Sequence, residues 1–386
     1  MSIFTEETQK LILAELKETN ALTKIIAEGW KIDSWAAVRE LVRSGAGKKY
    51  FPVGTEFNVA STQYNNLVFT VVDHDNPYIV NPDNPADHNM LLMMRDVIYG
   101  QVFDAREAMY VVNADTWADG MPAGTYSFTL LANYDTTYGG GKTYYFTTTK
   151  TIPVGGCIVL EWSWNTLVTD CYLRTYESMG SMTALESIKP IEGSGGTSLG
   201  TGDGNSPHMS HTTVARYGYC DYSYSNIRQW LNSNLVSGWW KSSEEFDRPS
   251  SITSSGFLYG MDTEFLNVVG EVDIQTNVNT VWNVDGIKTG SRTTRDKFFL
   301  ASVKEVGLGT DSGYCTWGNA FNYYDGASDT DRIKYDRTSS TSARYWWLRS
   351  PYPWAASVAR GVGPSGALGG DDACYGIGAA AACSIY

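Results

Sequence analysis

The stretch Tyr345–Tyr386, YWWLRSPYPWAASVARGVGPSGALGGDDACYGIGAAAACSIY, is rich in Gly and Ala and nearly free of charge. From Pro351 onward, 36 positions carry no Lys, Glu, Gln or Met, where ordinary usage supplies roughly four or more. Tyr, Ser, Gly, Asp, Ala, Cys, Val and Ile are residues that codons ending in a pyrimidine encode when their first two bases vary. Trp354 departs from that set. Low complexity through flexibility accounts for the Gly and Ala content but not for the interleaving. Arg349-Ser350-Pro351 and Pro364-Ser365-Gly366-Ala367-Leu368 read as fixed framework between scattered odd residues.

Upstream of this segment the chain changes texture several times. Residues 5–28 read as a helix, with Thr5 at the cap, Glu6 and Glu7 in the first turn and Gly29 as a stop. Ile12, Leu16, Thr19, Thr23 and Ile26 follow alternating four- and three-residue steps over about two heptads. That pattern suits either oligomerisation or packing on the body. A second short helix runs from Ser34 to Arg43. From Tyr50 the runs FPVGTEFNV, NLVFTVVDHD and MLLMMRDVI read as strands bounded by Asn, Asp, Pro and Gly. Residues 111–190 add a further β set, with a hairpin expected at Gly139–Gly141. Glu192–Pro207, EGSGGTSLGTGDGNSP, reads as a Gly/Ser-rich linker and the best domain boundary. Beyond it come a helix over YSYSNIRQWLNSN capped at Ser225, another around Asp262–Leu266, and a strand near Lys297–Val303.

Bulk properties exclude some functions. The 386 residues allow two or three domains. A net charge of −13 with no basic stripe argues against tracking nucleic-acid phosphates. The 25 Tyr and 13 Trp suit β-structure and contact surfaces. No apolar run is long enough to span a bilayer, and MSIFTEETQKLILAELKETN lacks the features of a secretory signal. The expected locations are therefore a virion or the cytoplasm before release. The six Cys show no C-x-x-C spacing and read as reduced, mostly buried thiols.

The local chemistry is sparse. His208 and His211 form H-x-x-H in the Gly/Ser-rich segment, without a Cys or Glu at ligand spacing. Asp73-His74-Asp75-Asn76 and Asn81–Asp87 are acidic turns without a D-x-D-x-D-G loop. Gly200-Thr201-Gly202-Asp203-Gly204 has no following Lys and no preceding strand, so it is not a phosphate loop. Trp282-Asn283-Val284-Asp285 only approaches the sugar-binding tripeptides of true C-type lectins. No Ser/His/Asp order or carboxylate pair stands out, so no metal, cofactor or catalytic residue is expected.

Several segments together resemble a family. Tyr345-Trp346-Trp347-Leu348-Arg349-Ser350-Pro351, Ala359-Arg360, Val362, Pro364–Leu368 and Gly378–Ala381 are similar to the variable proteins of diversity-generating retroelements. Tyr-x-x-Ser-x-Ile-Arg-x-Trp-Leu-Asn at 222–232 and Arg295-Asp296-Lys297-Phe298-Phe299-Leu300 extend the likeness over 215–386. It reaches 50–110 weakly, through the strand ending in Val72-Asp73-His74-Asp75, and does not cover 1–49 or 111–200. The family's fold is C-type-lectin-like, and its members are common in phages and prophages. Inaccurate copying of template adenines turns Asn codons at fixed places into many residues.

Carried over, the resemblance implies diversified positions at Tyr352, Ala355, Ser357, Val358, Gly361, Gly363, Gly369, Gly370, Asp371, Asp372, Cys374, Tyr375 and Ile377, with Trp354 on the same surface. Positions that accept any side chain must stand on exposed loops or a solvent-facing strand. Trp346, Trp347, Leu348 and Ala379–Ala382 would supply the fixed core. Formylglycine-generating enzymes look similar in their core and use a cysteine pair, but Cys374 sits at a diversified position. The expected fold is α+β: a C-type-lectin-like domain from 50–110 and 205–386, with a β-rich subdomain inserted at 111–204. An N-terminal helical segment, 1–49, would anchor or oligomerise it. The expected function is recognition of a protein or glycan ligand on a cell surface, without nucleic acid, membrane insertion or catalysis. A fixed-specificity glycan-binding lectin, a phage-tail structural component and a formylglycine-type oxidase are the alternatives.

Overall fold

The computed structural model describes residues 6–28, 34–83, 88–104, 106–112, 114–130, 142–161, 172–178, 183–202, 205–206, 214–217, 220–237, 254–278, 290–309, 317–353, 358–373 and 375–386. Over these residues the protein is α+β, rich in strands with few helices. The helix Glu6–Ala27 precedes Trp35–Arg43, whose cap Ser34 accepts a hydrogen bond from the Ala37 amide at 3.3 Å.

The central sheet orders its strands Glu56–Ser61, Asn65–His74, Met90–Met94, Ala381–Ile385 and Val269–Gly270, and Phe298–Leu300 also pairs with Ala381–Ile385. Every pairing in it is antiparallel. The first strands match the three runs read from the sequence. All five residues of Met90–Met94 are buried, as a continuous apolar run requires when both faces are covered. The small side chains of Ala381, Ala382 and Cys383 stand opposite Leu300, Phe299 and Phe298, an alternation of size that fills the core without strain. Phe298 contacts Phe257 at a ring separation of 5.4 Å, and Phe69 contacts Phe265 at the same distance.

The two motifs at 222–232 and 295–300 hold each other. Arg228 Nε lies 2.8 Å from Asp296 Oδ1, and Asn232 Oδ1 accepts the amides of Lys297 and Phe298 at 3.0 and 3.1 Å. Burial raises the Asp296 carboxyl above its ordinary range, against the opposing pull of Arg228. The expected helix over 222–234 is a 3-10 turn, Tyr222–Tyr224, followed by the α-helix Asn226–Leu231. Ser225 ends the first and caps the second.

Between the two parts of the central sheet lie two further sheets with their own core. One orders Glu186–Ile188, Tyr172–Tyr176, Cys157–Glu161, Arg106–Val111, Val214–Tyr217 and Asn205–Ser206; the other orders Ile191–Glu192, Thr143–Thr148, Gly124–Leu130 and Thr197–Gly202. Tyr126, Tyr144, Phe146, Ile152, Ile158 and Leu199 pack together there, separately from the central core. The strands Gly124–Leu130 and Thr143–Thr148 pair as a hairpin would, while Gly139–Gly141 lie outside the described residues.

Two expectations need correction here. The inserted sheet begins at Arg106 and ends at Tyr217, not at 111 and 204, because Val214–Tyr217 pairs with Arg106–Val111. Within the expected linker, Ile191–Glu192, Thr197–Gly202 and Asn205–Ser206 are strands. Thr197–Gly202 runs parallel to Gly124–Leu130, and Leu199 is buried. Its glycines serve close approach: a Cβ on Gly196, at φ +68°, would fall 1.8 Å from the Thr125 carbonyl oxygen.

Candidate functional site

A five-stranded sheet carries the C-terminal segment. Its order is Leu368–Asp372, Val358–Val362, Trp346–Pro351, Gly376–Ala379 and Ile98–Val102. The central strand Trp346–Pro351 is buried throughout. Trp346 donates its indole N–H to the Arg332 carbonyl at 3.2 Å, and Trp347 donates to that of Gln101 at 2.8 Å. Arg349 is buried in full and meets Glu305 through both terminal nitrogens, with Nη2 to Oε1 at 2.6 Å. It also donates to the carbonyls of Leu300 at 2.8 Å and Gln275 at 3.2 Å. A buried charge persists only when paired and bonded in this way. The expected fixed core beneath the segment is thus a set of satisfied polar anchors as well as apolar side chains.

Ten of the fourteen expected positions are described, and all ten lie on this sheet or in its connecting turns. Tyr352 follows the central strand, its amide donating to the Val358 carbonyl at 2.9 Å. Val358 and Gly361 are on the next strand, and Gly363 follows it. Gly369, Gly370, Asp371 and Asp372 are on the outer strand. Tyr375 precedes the strand that contains Ile377. Register pairs Gly361 with Gly369 and Val358 with Asp372. Gly370 is exposed, and Tyr352, Val358, Gly369, Asp371, Asp372 and Tyr375 are partly exposed. Gly361, Gly363 and Ile377 are buried, which corrects the expectation that these three face solvent. At Gly361 the cause is backbone, since a Cβ would lie 2.8 Å from the Trp346 carbonyl oxygen of the paired strand. Trp354, Ala355, Ser357 and Cys374 lie outside the described residues.

The surface also contains residues that the codon pattern could not mark. The ring of Tyr345 lies against Gly361, Gly363 and Gly369: Cβ atoms built there would fall 3.5, 3.5 and 1.8 Å from its nearest atoms. Burial raises the Tyr345 phenol, the nearby Asp371 carboxylate adds to this, and Arg360 opposes it. Burial likewise raises Asp371, against a 3.0 Å hydrogen bond from the Asp372 amide. The guanidinium of Arg360 stacks on Tyr352 at 4.2 Å, and that of Arg344 stacks on exposed Tyr99 at 4.2 Å. The one sequence signal for these was aromatic: Tyr345 before the Trp pair, and Tyr99 beside Gly100 on an edge strand.

Elsewhere the chemistry is structural. In the Asp73–Asn76 turn, Asp73 accepts from the Asn76 amide group at 2.7 Å, and Asp75 pairs with Lys48 at 2.8 Å. No group of three or more His, Cys, Asp or Glu able to hold a metal occurs among the described residues; His208 and His211 lie outside them. Cys157, Cys220 and Cys383 are buried, and burial pushes the Cys383 thiol up, which disfavours the reactive thiolate. No helix among the described residues is long and apolar enough to cross a membrane. Neither curated proteins nor solved structures give a match. Residues 208–385, which contain the C-terminal segment up to Ile385, match a family model described as a domain of unknown function, DUF6273.

Proposed function

We propose that the protein is a non-catalytic binding protein with a C-type-lectin-like fold, and that its five-stranded sheet displays diversified residues to a protein or glycan on a cell surface. One observation supports this reading. Positions that the family resemblance implies to be diversified, from Tyr352 to Ile377, gather on a single sheet, and seven of the ten described ones are at least partly open to solvent. A segment whose low complexity reflected flexibility alone has no reason to form paired strands over buried Trp anchors. Tyr352, Tyr375, Tyr345 and Tyr99 supply the aromatic area that contact surfaces use. The many glycines make this copy a weak binder on its own. A phage or prophage origin follows from the same resemblance.

Deep sequencing of the locus across related isolates tests the reading. Differences clustered at the expected positions other than the buried Gly361, Gly363 and Ile377, with an adenine-bearing near-copy of the segment beside a reverse transcriptase gene, would support it. An invariant segment without such a copy would overturn it.

A fixed-specificity lectin is the second reading, favoured by a different recess. An open recess of about 450 Å³ is lined by Tyr78, Asp273, Gln275, Thr293, Trp317 and Arg349. Tyr78 and Trp317 are exposed there beside polar side chains, an arrangement suited to a sugar ring. A glycan-array signal lost on Trp317→Ala but unchanged by substitutions at Gly370 and Asp372 would favour it.

A further inference from the structure

We propose that the solvent-facing side of the helix Glu6–Ala27 pairs, in parallel, with the same helix of a second copy of this chain. The helix has two different sides. On one, Ala21 and Ile25 are buried, and Ile25 packs with Ala37, Leu41 and Ala46. That side is pinned by Lys24–Glu40 at 2.7 Å, Glu18–Lys49 at 2.6 Å and the Tyr50 hydroxyl donating to Glu18 at 2.9 Å. The helix is therefore held on the body through part of its circumference.

The opposite side is open. Leu16 is 55% exposed, Ile26 78% and Leu13 54%, and Thr19, Asn20, Thr23 and Ala27 are exposed with them. At 3.6 residues per turn these seven positions fill an arc of roughly 140° turned away from Ala21 and Ile25. None of the seven carries a charge. A helix docked on a globular body ordinarily turns its charged residues to water on this side. Here the charges border the arc instead, with Glu15 along one edge and Lys17 and Lys24 along the other.

These features select the occupant. Leu16, Thr19, Thr23 and Ile26 are spaced by three, four and three residues, the repeat by which two like helices interlock side chains. The stripe is thus complementary to itself. A two-fold axis parallel to the helices sets Glu15 of one copy beside Lys17 of the other at nearly the same height, so the borders attract in this pairing. A body held at one side of each helix leaves the paired side free. Two copies joined in this way carry two sheet faces each able to engage the same surface, which raises avidity without any new contact.

Sedimentation equilibrium of the full chain over a concentration series tests this. The expected result is a dimer or larger assembly for the wild type and a monomer for Leu16→Glu/Ile26→Glu. Both side chains are exposed, so the variant should keep the wild-type melting transition. Thr23→Lys, which places one charge on the same stripe, should shift the assembly midpoint to higher concentration. A wild type monomeric across the whole series would overturn the proposal, and so would a Leu16→Glu/Ile26→Glu variant that keeps the wild-type mass.

Discussion

The phenolic oxygen of Tyr345 stands where a side chain on Gly369 would begin, 1.8 Å from the Cβ that any other residue would place there. Tyr345 is a long, hinged side chain at a half-buried position, so it can swing aside. The obstacle at Gly361 is the Trp346 carbonyl of the neighbouring strand, at 2.8 Å, which cannot. Two glycines paired in one register therefore differ in what they tolerate. Gly369→Ser should change stability by no more than about 1 kcal/mol, with a change in the near-ultraviolet tyrosine signal. Gly361→Val should cost about 1–3 kcal/mol through overpacking. Urea melts of the two variants check this; equal costs would contradict it.

The Arg349–Glu305 pair is buried on both sides, so its two halves are worth most to each other. Arg349→Met leaves the Glu305 carboxylate buried without its partner and should cost on the order of 3–5 kcal/mol. Arg349→Met/Glu305→Leu should recover much of that loss. Urea unfolding of both variants measures the difference. A double variant no more stable than the single one would show that the pair does more than neutralise its own burial.

Lys334 gives a pH signature. Its ammonium is buried, donates to the carbonyls of Met94 and Arg95, and lies 5.4 Å from the centre of the Trp346 ring. Burial lowers its pKa to about 7. The unfolded chain keeps that proton to the ordinary lysine value, so between about pH 7 and 10 it binds more protons than the folded protein. The contribution of Lys334 to stability must then rise with pH across this window, and below pH 7 the full cost of the buried charge is present. Lys334→Met should flatten that rise. Melting temperatures of both proteins from pH 6 to pH 9 provide the comparison, and parallel curves would refute the assignment.

Asn232 joins the helix Asn226–Leu231 to the strand that follows Lys297. Its side chain accepts two backbone amides and donates to the carbonyls of Arg228 and Phe298. Asn232→Ala strands the Lys297 and Phe298 amides and should cost about 1–3 kcal/mol. Asn232→Asp keeps both acceptors but loses the donors, and should lie between. Thermal melts that rank the three proteins otherwise would show that the bridge is not what holds the two motifs together.

Much of the architecture was legible because it is written locally. Ser225 caps the helix it was expected to cap, the short helix expected from Ser34 to Arg43 runs from Trp35 to Arg43, and the runs around Val59, Phe69 and Leu92 became the first three strands of the central sheet. What was not legible depends on partners far away in the chain. Thr197–Gly202 reads as a linker because its Gly and Ser content is what linkers have. It is a strand because Gly124–Leu130, some seventy residues earlier, offers a parallel edge and a place for Leu199. The inserted sheet overran its expected boundary for the same reason. In the C-terminal segment, the family resemblance marked which positions belong together, but it carries no information about which of them this chain buries. Gly361 and Gly363 are buried because the Trp346 carbonyl and the Tyr345 ring lie against them, and both of those neighbours belong to another stretch of chain. Tyr345 escaped notice because a framework residue gives no compositional sign that it shares a surface with its neighbours.

The strand Ala381–Ile385 lies inside the central sheet, with Met90–Met94 on one side and Phe298–Leu300 on the other. A chain that terminates anywhere before Ala381 therefore lacks the piece that joins the early and late halves of its core. During synthesis the early strands of the central sheet must wait for Ala381–Ile385, made almost three hundred residues later, before the sheet can close around them.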